Sequence, residues 1–178
     1  MNMRYFVTVV LFIASMTGAK AKNNISVDYT EESELVSVIA HLAKVPGYIW
    51  PEEQAGVIDY FHQVDSTFAP YSNHPIMAFV ADSLVKQGFG YHVPVAMALR
   101  LKLKNGKLHY NTDLETDFNH YYRGITPQHE KKLIALLEGF YKKAHFHSFF
   151  KKNQPLYNAC KQAMQQQLVN KIDLAWYK

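Results

Sequence analysis

The chain has 178 residues, the size of one ordinary domain, of which 48% are hydrophobic and 19% are charged. This balance excludes an intrinsically disordered chain, because burial of apolar surface can offset the entropy lost on ordering. A single cysteine excludes a disulfide scaffold and a cysteine-rich zinc module. The formal net charge of +4 is spread over scattered lysines rather than one basic face, so nucleic acid is not expected as a partner.

The N-terminal segment has the pattern of a signal peptide. A short positive start is followed by an apolar run, residues 5–16, and by two small residues, Ala19 and Ala21. The run of about 12 residues is shorter than the roughly 20 that a membrane-spanning helix needs. We therefore expect residues 1–21 to be removed. Residues 22–178 would be a helical domain exported to the periplasm or out of the cell, with no stable membrane span.

The first helices are predicted by caps and by apolar residues at a spacing of three to four. Thr30 precedes Glu31 and Glu32, so its hydroxyl can cap a helix whose acidic first turn suits the positive end of the helix dipole. Pro75 suits the first position of a third helix, which is expected to stop at Gly88. The apolar stripes of the first four helices are Leu35/Val38/Ile39/Leu42, Val57/Phe61/Val64/Phe68, Ile76/Phe79/Val80/Leu84 and Val93/Met97/Leu101.

The second half of the chain has one weak strand signal between helix signals. Asn105-Gly106 is predicted to end the fourth helix, and residues 108–110 resemble a brief strand for which the sequence offers no evident partner. Thr126-Pro127 predicts the start of the next helix. The sequence thus predicts a mainly α fold, a single domain of about five to seven packed helices with at most a minor short strand pair.

A final helix is predicted from Pro155 onward, because apolar residues follow it at helical spacing. Cys160 falls on that stripe, so its thiol is expected to be buried and inert. The alternative is that this unpaired cysteine of an exported chain cross-links two chains. The stripe consists of Leu156, Cys160, Ala163, Met164, Leu168, Ile172, Ala175 and Trp176.

Nine histidines raise the question of a metal site. A zinc-binding helix places two histidines four residues apart, as in His-Glu-x-x-His, and the sequence has no such pair. His145 and His147 are the only close pair, and they are the candidate metal ligands, although no acid or cysteine stands near them. We expect an exposed loop pair there, and no catalytic residue, metal or cofactor in this chain.

Aromatic residues offer a candidate groove for a peptide or a glycan. Tyr71 and His74, in the turn between the second and third helices, are the candidate binding residues. The alternative is that these aromatic residues belong to the core, where aromatic residues at helical spacing usually pack. The aromatic set is Tyr48, Trp50, Tyr60, Phe61, Phe68 and Tyr71.

Several segments resemble one family of exported bacterial proteins. Residues 34–43 (ELVSVIAHLA), with Tyr48 downstream, are similar to the opening motif of that family. The similarity continues at residues 60–61, 68–71, 74–75, 90–91 and 97–98, and resumes at 140–141, 146–150 and 172–176. The chain thereby resembles the N-terminal helical region of the domain-of-unknown-function 4932 family.

The resemblance implies the fold of gluzincin-type zinc peptidases. In the family, a His-Glu-x-x-His helix and a third ligand hold zinc downstream of the matched region, and the glutamate of the motif activates water. None of these positions occurs in the present sequence, so no catalytic residue is carried over and zinc is expected only in a downstream part. The chain is expected to be the N-terminal part of such a peptidase-like protein, as a truncated product or a degenerate member.

Three functions remain open. The preferred one is a non-catalytic helical domain that packs against a peptidase core and aids the binding of a substrate, a peptide or a protein partner. The alternatives are a stand-alone envelope protein that binds a peptide or glycan, and a hydrolase whose site forms only in three dimensions. Without a peptidase core, the last helix should expose Leu168, Ile172 and Trp176, so self-association through that helix is expected.

Overall fold

The computed structural model describes residues 26–49, 58–110 and 124–171. These ranges contain six α-helices and one antiparallel pair of strands, which confirms the predicted mainly α fold with a minor strand pair. A π-helical turn, Phe79–Leu84, extends the third helix. The helices are α1 (Glu31–Leu42), α2 (Ile58–Phe68), α3 (Pro75–Ala78), α4 (Val93–Leu99), α5 (Pro127–Lys143) and α6 (Phe146–Gln167). The strands are β1 (Leu101–Lys104) and β2 (Lys107–Tyr110).

Contacts between residues group the chain into two units. The larger unit runs from Asp28 to Lys161, and the smaller combines Met1–Val27 with Gln162–Lys178. In the described part of the smaller unit, the backbone N–H of Val27 donates a 2.8 Å hydrogen bond to the side chain of Gln165. The hydrophobic core lies in the larger unit.

Local chemistry sets the helix starts, as predicted. The hydroxyl of Thr30 accepts a 3.2 Å hydrogen bond from the backbone N–H of Ser33 and caps α1. At α5, the Thr126 hydroxyl accepts from the N–H of His129, and the His129 ring accepts from the N–H of Thr126, which closes a reciprocal capping box. Pro75 occupies the first turn of α3.

Aromatic rings join α2, α5 and α6 in the core. The ring centroid of Phe68, at the end of α2, lies 5.4 Å from that of Phe140 on α5. On α6, the ring of Phe146 lies 5.9 Å away and the ring of Phe149 lies 4.9 Å away. Such tilted and stacked pairs add to the stability gained from burial alone. The largest fully buried side chains are Phe68, Phe89, Phe140, Phe146, Leu35, Ile39, Ile76, Leu84, Leu133, Leu137, Val45 and Val64.

The prediction that Asn105-Gly106 ends a helix was wrong, and so was the reading that residues 108–110 have no partner strand. Helix α4 ends at Leu99, and β1 and β2 form a hairpin in which Leu101 faces Tyr110. Asn105 and Gly106 have φ angles of 52° and 71°, the left-handed pair that a tight two-residue hairpin turn requires. The Asn-Gly signal therefore turns a hairpin instead of closing a helix.

The predicted start of the last helix at Pro155 was also wrong. Helix α6 begins at Phe146 and continues through Pro155 to Gln167. Proline lacks the N–H that would bond to the carbonyl of residue 151, but the turns before it are held in the core by Phe146, Phe149 and Phe150. Packing of the first two turns thus outweighs the missing hydrogen bond.

The expectation that Cys160 is buried was wrong. Cys160 is exposed, since the last buried residue of α6 is Asn153 and every residue from 154 to 171 is half-buried or exposed. In the described part of the last helix, the core ends at Asn153, before the residues of the predicted apolar stripe. Leu156, Met164 and Leu168 are 41%, 50% and 52% exposed.

Several predictions lie outside the described residues. These are the signal peptide, the placement of Val57 and Trp50, and the exposure of Ile172 and Trp176. Within the ranges that are described, none of the helices combines the length and the apolar character that a membrane crossing demands.

Candidate functional site

Tyr71 and His74, the predicted binding residues, both pack on one core ring. The ring centroids of Tyr71 and His74 lie 6.1 Å and 5.5 Å from that of Phe140, each in an edge-on arrangement. His74 also caps α3, because its Nδ1 accepts a 3.3 Å hydrogen bond from the N–H of Ile76. Burial and the nearby charge of Lys143 lower the pKa of His74. Both residues therefore have structural roles in the turn between α2 and α3.

His145 and His147 are exposed but differ in their surroundings. His145 has a left-handed φ of 49° in the short turn between α5 and α6. His147 lies in the first turn of α6, where its Nδ1 is 2.9 Å from Oε1 of Glu31 on α1. No acidic residue stands near His145 and His147 in the sequence, but in the structure Glu31 contacts His147 from another helix. In the part of the chain that is described, no three His, Cys, Asp or Glu side chains gather as metal ligands would.

Glu31 joins α1 to both of the last two helices. The hydroxyl of Tyr141 on α5 donates a 3.0 Å hydrogen bond to the oxygen of Glu31 that also faces His147. Burial and the charge of Glu31 raise the pKa of Tyr141 to about 12, so this tyrosine stays a donor at neutral pH. The arrangement ties three helices together through one carboxylate.

A second carboxylate, Glu34, lies one turn further along α1 and is more deeply enclosed. The hydroxyl of Tyr60 on α2 donates a hydrogen bond to the carboxylate of Glu34. Tyr157 on α6 lies with its hydroxyl oxygen 2.9 Å from that of Tyr60. The single hydroxyl hydrogen of Tyr60 is used in its hydrogen bond to Glu34. Tyr157 is therefore the donor in the hydrogen bond between the two tyrosines. These three groups are defined here as the Glu34 network.

Burial controls the ionisation of the Glu34 network. Loss of solvation raises the pKa of the Glu34 carboxyl, and the hydrogen bond from Tyr60 and the nearby hydroxyl of Tyr157 oppose that rise only in part. Burial and the adjacent carboxylate raise the pKa of both tyrosines far above their usual range. The network is a set of mutually satisfied hydrogen bonds inside a helix junction, the arrangement expected of a structural polar cluster.

The outer face of α4 carries large apolar side chains that the core does not use. Val93 and Met97 are buried against the rest of the unit, whereas Val95 and Leu99 are 47% and 56% exposed. Residues four apart share a helix face, so Val95 and Leu99 lie side by side. Tyr91, two residues before the helix, is 73% exposed. Tyr91, Val95 and Leu99 are defined here as the α4 surface.

The loop that follows α1 supports the α4 surface. The N–H of Tyr91 donates a 2.8 Å hydrogen bond to the carbonyl of Pro46. Gly47, with a φ of 86°, lies so close that a Cβ there would be 3.1 Å from the Cα of Tyr91. Ile49, two residues after Gly47, is 58% exposed. An exposed tyrosine with aliphatic neighbours on an ordered backbone is the composition found at protein-binding sites.

Sequence reasoning missed the α4 surface, although a signal for it exists. The segment Val93–Leu99 (VPVAMAL) is apolar on all sides, and a short helix of this kind needs cover on both faces. The predicted stripe of this helix consists of Val93, Met97 and Leu101 and does not include Val95 or Leu99. An apolar residue on the solvent side of a predicted amphipathic helix is the signal to look for.

Comparisons with protein-family models, with curated proteins and with solved structures found no match to this chain.

Proposed function

We propose that this chain is a non-catalytic helical domain, exported from a bacterial cell, that binds a protein or peptide partner through the α4 surface. The observation that supports the proposal most strongly is the exposure of Val95 and Leu99 on one side of a helix whose other side is already buried, with the exposed Tyr91 two residues before that helix. Contiguous exposed apolar side chains of this size are a feature of interaction sites in soluble proteins.

The resemblance to the domain-of-unknown-function 4932 family extends this proposal to a larger, peptidase-like protein. A zinc peptidase of that kind would carry its metal and its catalytic glutamate in a downstream part, and the present chain would supply a binding surface beside it. In such a protein the chain itself holds no catalytic group, and zinc enters only with the downstream part. Purification from zinc-containing medium followed by metal analysis should give no stoichiometric zinc, and one bound zinc per chain would oppose the proposal.

We also propose that copies of the chain associate through the last helix. Met164 and Leu168, one helical turn apart, are both half exposed and would be covered in such a dimer. Sedimentation velocity over a range of concentrations should show a dimer that Met164→Ser with Leu168→Ser reverts to a monomer. A wild-type chain that stays monomeric at high concentration would contradict this part.

Export has a direct test of its own. Expression of the full chain in a bacterial host, followed by fractionation, should yield a periplasmic product that begins at Lys22 by intact mass. A full-length product that stays in the cytoplasm would contradict the signal-peptide assignment, and it would leave the α4 surface to be tested separately.

The partner-binding proposal is tested by selecting random displayed peptides on the purified domain. Peptides that bind should be enriched in apolar and aromatic residues, and Val95→Ser with Leu99→Ser should remove their binding. The control is Leu156→Ser, which changes an exposed apolar residue elsewhere. If no peptide is enriched, or if the control variant loses binding instead, the α4 surface is not the binding site.

A further inference from the structure

A small pocket lies between the end of α1, α2 and the turn before α3, and one of its lining residues, Ser72, directly follows Tyr71. Its volume is about 220 Å³. Apolar side chains form its walls, with Leu42 from α1, Phe68 from α2 and Met77 from α3. Three polar side chains also line it: Lys44, Asp65 and Ser72. The pocket thus combines one positive group, one negative group and one hydroxyl with an apolar wall.

The carboxylate of Asp65 is held in place from behind by a buried histidine. Nε2 of His41 lies 3.0 Å from Oδ1 of Asp65, and Nδ1 of the same ring lies 3.2 Å from the carbonyl oxygen of Tyr48. Both ring nitrogens therefore lie within hydrogen-bond distance of an oxygen atom. His41 is only 6% exposed and stacks on Phe61 at 4.4 Å, which fixes the orientation of the pair. The contact with His41 is made by Oδ1 of Asp65.

Lys44 occupies a backbone position that favours glycine. It follows the end of α1 with a φ of 57°, and the N–H of Val45 after it bonds to the carbonyl of Ala40, which completes a helix-ending motif. A side chain in this left-handed conformation costs about 1 kcal/mol relative to glycine. Strained residues of this kind cluster at binding sites, and here the strained residue is the pocket's cation.

The volume of the pocket and the charged residues that line it determine which class of ligand can bind there. A volume of about 220 Å³ equals that of about seven water molecules and is smaller than the cavities that hold drug-sized ligands. We propose that this pocket binds a free α-amino acid with an apolar side chain. The ammonium group of the ligand would pair with Asp65, its carboxylate with Lys44 and Ser72, and its side chain would pack on Phe68 and Met77. This proposal does not depend on the α4 surface.

The test is a titration of the isotope-labelled full chain with L-leucine, followed by the amide resonances of Lys44, Asp65 and Ser72. We expect saturable shifts with a dissociation constant in the millimolar range or tighter. N-acetyl-L-leucine lacks the ammonium group and L-leucinamide lacks the carboxylate, so each should bind at least about tenfold more weakly. Absence of saturation at about 10 mM L-leucine, or equal binding of either analogue, would overturn the proposal.

The Lys44→Gly variant tests the role of the lysine side chain in ligand binding without destabilising the fold. Glycine suits the left-handed position, so this variant should unfold at the same temperature as the wild type or higher, and it should bind L-leucine at least about tenfold more weakly. The matched control is Lys152→Ala, which removes an exposed lysine of α6 and should leave binding unchanged. A folded Lys44→Gly variant that binds L-leucine as tightly as the wild type would overturn the proposal.

Discussion

The hydroxyl of Tyr60 on α2 donates a hydrogen bond to Glu34 on α1, and the surrounding helices largely bury the carboxyl group of Glu34. Tyr157, 97 residues further along the chain, completes the same network from α6. The network has the chemistry of an acid–base site, but its groups satisfy one another inside a helix junction. Its contribution is therefore to stability, and that contribution depends on pH.

Glu34→Gln tests this dependence. Burial raises the pKa of Glu34 above its usual value of 4.5, so the folded chain holds the proton more tightly than the unfolded chain does. Protonated Glu34 contributes its full stabilisation at pH values below its usual pKa. This stabilisation is lost as the pH rises through the raised pKa of the folded chain. Glutamine stays neutral and can accept a hydrogen bond from Tyr60, so the free energy of unfolding of Glu34→Gln should rise relative to the wild type as the pH increases above the usual pKa of 4.5.

Urea unfolding at a series of pH values measures this difference. The exposed Asp59→Asn, on α2, is the control, and its difference from the wild type should change little over the same range. A Glu34→Gln variant whose difference from the wild type is constant with pH would show that Glu34 ionises as it does in the unfolded chain.

The His41–Asp65 pair is expected to contribute a modest coupling energy. Because the Asp65 side chain is 47% exposed, solvent weakens the attraction, and a double-mutant cycle with His41→Phe and Asp65→Asn should give about 1 kcal/mol. Thermal unfolding of the four proteins measures it. Additive effects of the two substitutions would mean that the two side chains do not stabilise each other.

Gly47 and Gly88 form a matched pair, since their φ angles are 86° and 89° and their surroundings differ. Gly88→Ala should cost about 1–2 kcal/mol for the left-handed backbone alone, because nothing lies within 4 Å of the added Cβ. Gly47→Ala should cost a further 1–3 kcal/mol or so, since its Cβ would press on Tyr91. Equal losses in urea unfolding would contradict the close approach of the loop to Tyr91.

The two faces of α4 should respond differently to substitution. Val95→Ser and Leu99→Ser each change an exposed side chain and should alter the free energy of unfolding by no more than about 0.5 kcal/mol. Met97→Ala, on the buried face, should cost about 2–5 kcal/mol. A large loss from the exposed pair, measured by urea unfolding, would indicate that these residues belong to the core.

Features set by neighbouring residues were predictable from the sequence. The hydroxyls of Thr30 and Thr126 cap their helices because the partner N–H groups are three residues away. The hairpin was equally local, since Asn105-Gly106 follows Leu101 and Leu103 at strand spacing, but Leu101 also continues the four-residue spacing of Val93 and Met97. The helical interpretation prevailed for that reason.

Features set by distant residues were not predictable in this way. Nothing near Tyr60 in sequence indicates that Glu34 and Tyr157 meet its hydroxyl, since the three come from different helices. The exposure of Cys160 likewise depends on where the core ends along α6, which no local pattern states. For the candidate binding residues, the sequence located the turn that holds Tyr71 and His74 correctly, and only the packing against Phe140 shows their structural role.

The affinity of a selected peptide for three proteins tests most directly whether the partner binds at α4: the wild type, Val95→Ser with Leu99→Ser, and Leu156→Ser. If the partner binds at α4, the first variant weakens binding at least about tenfold and the second leaves it unchanged. Wild-type affinity in the α4 variant, with its unfolding temperature preserved, would contradict the account.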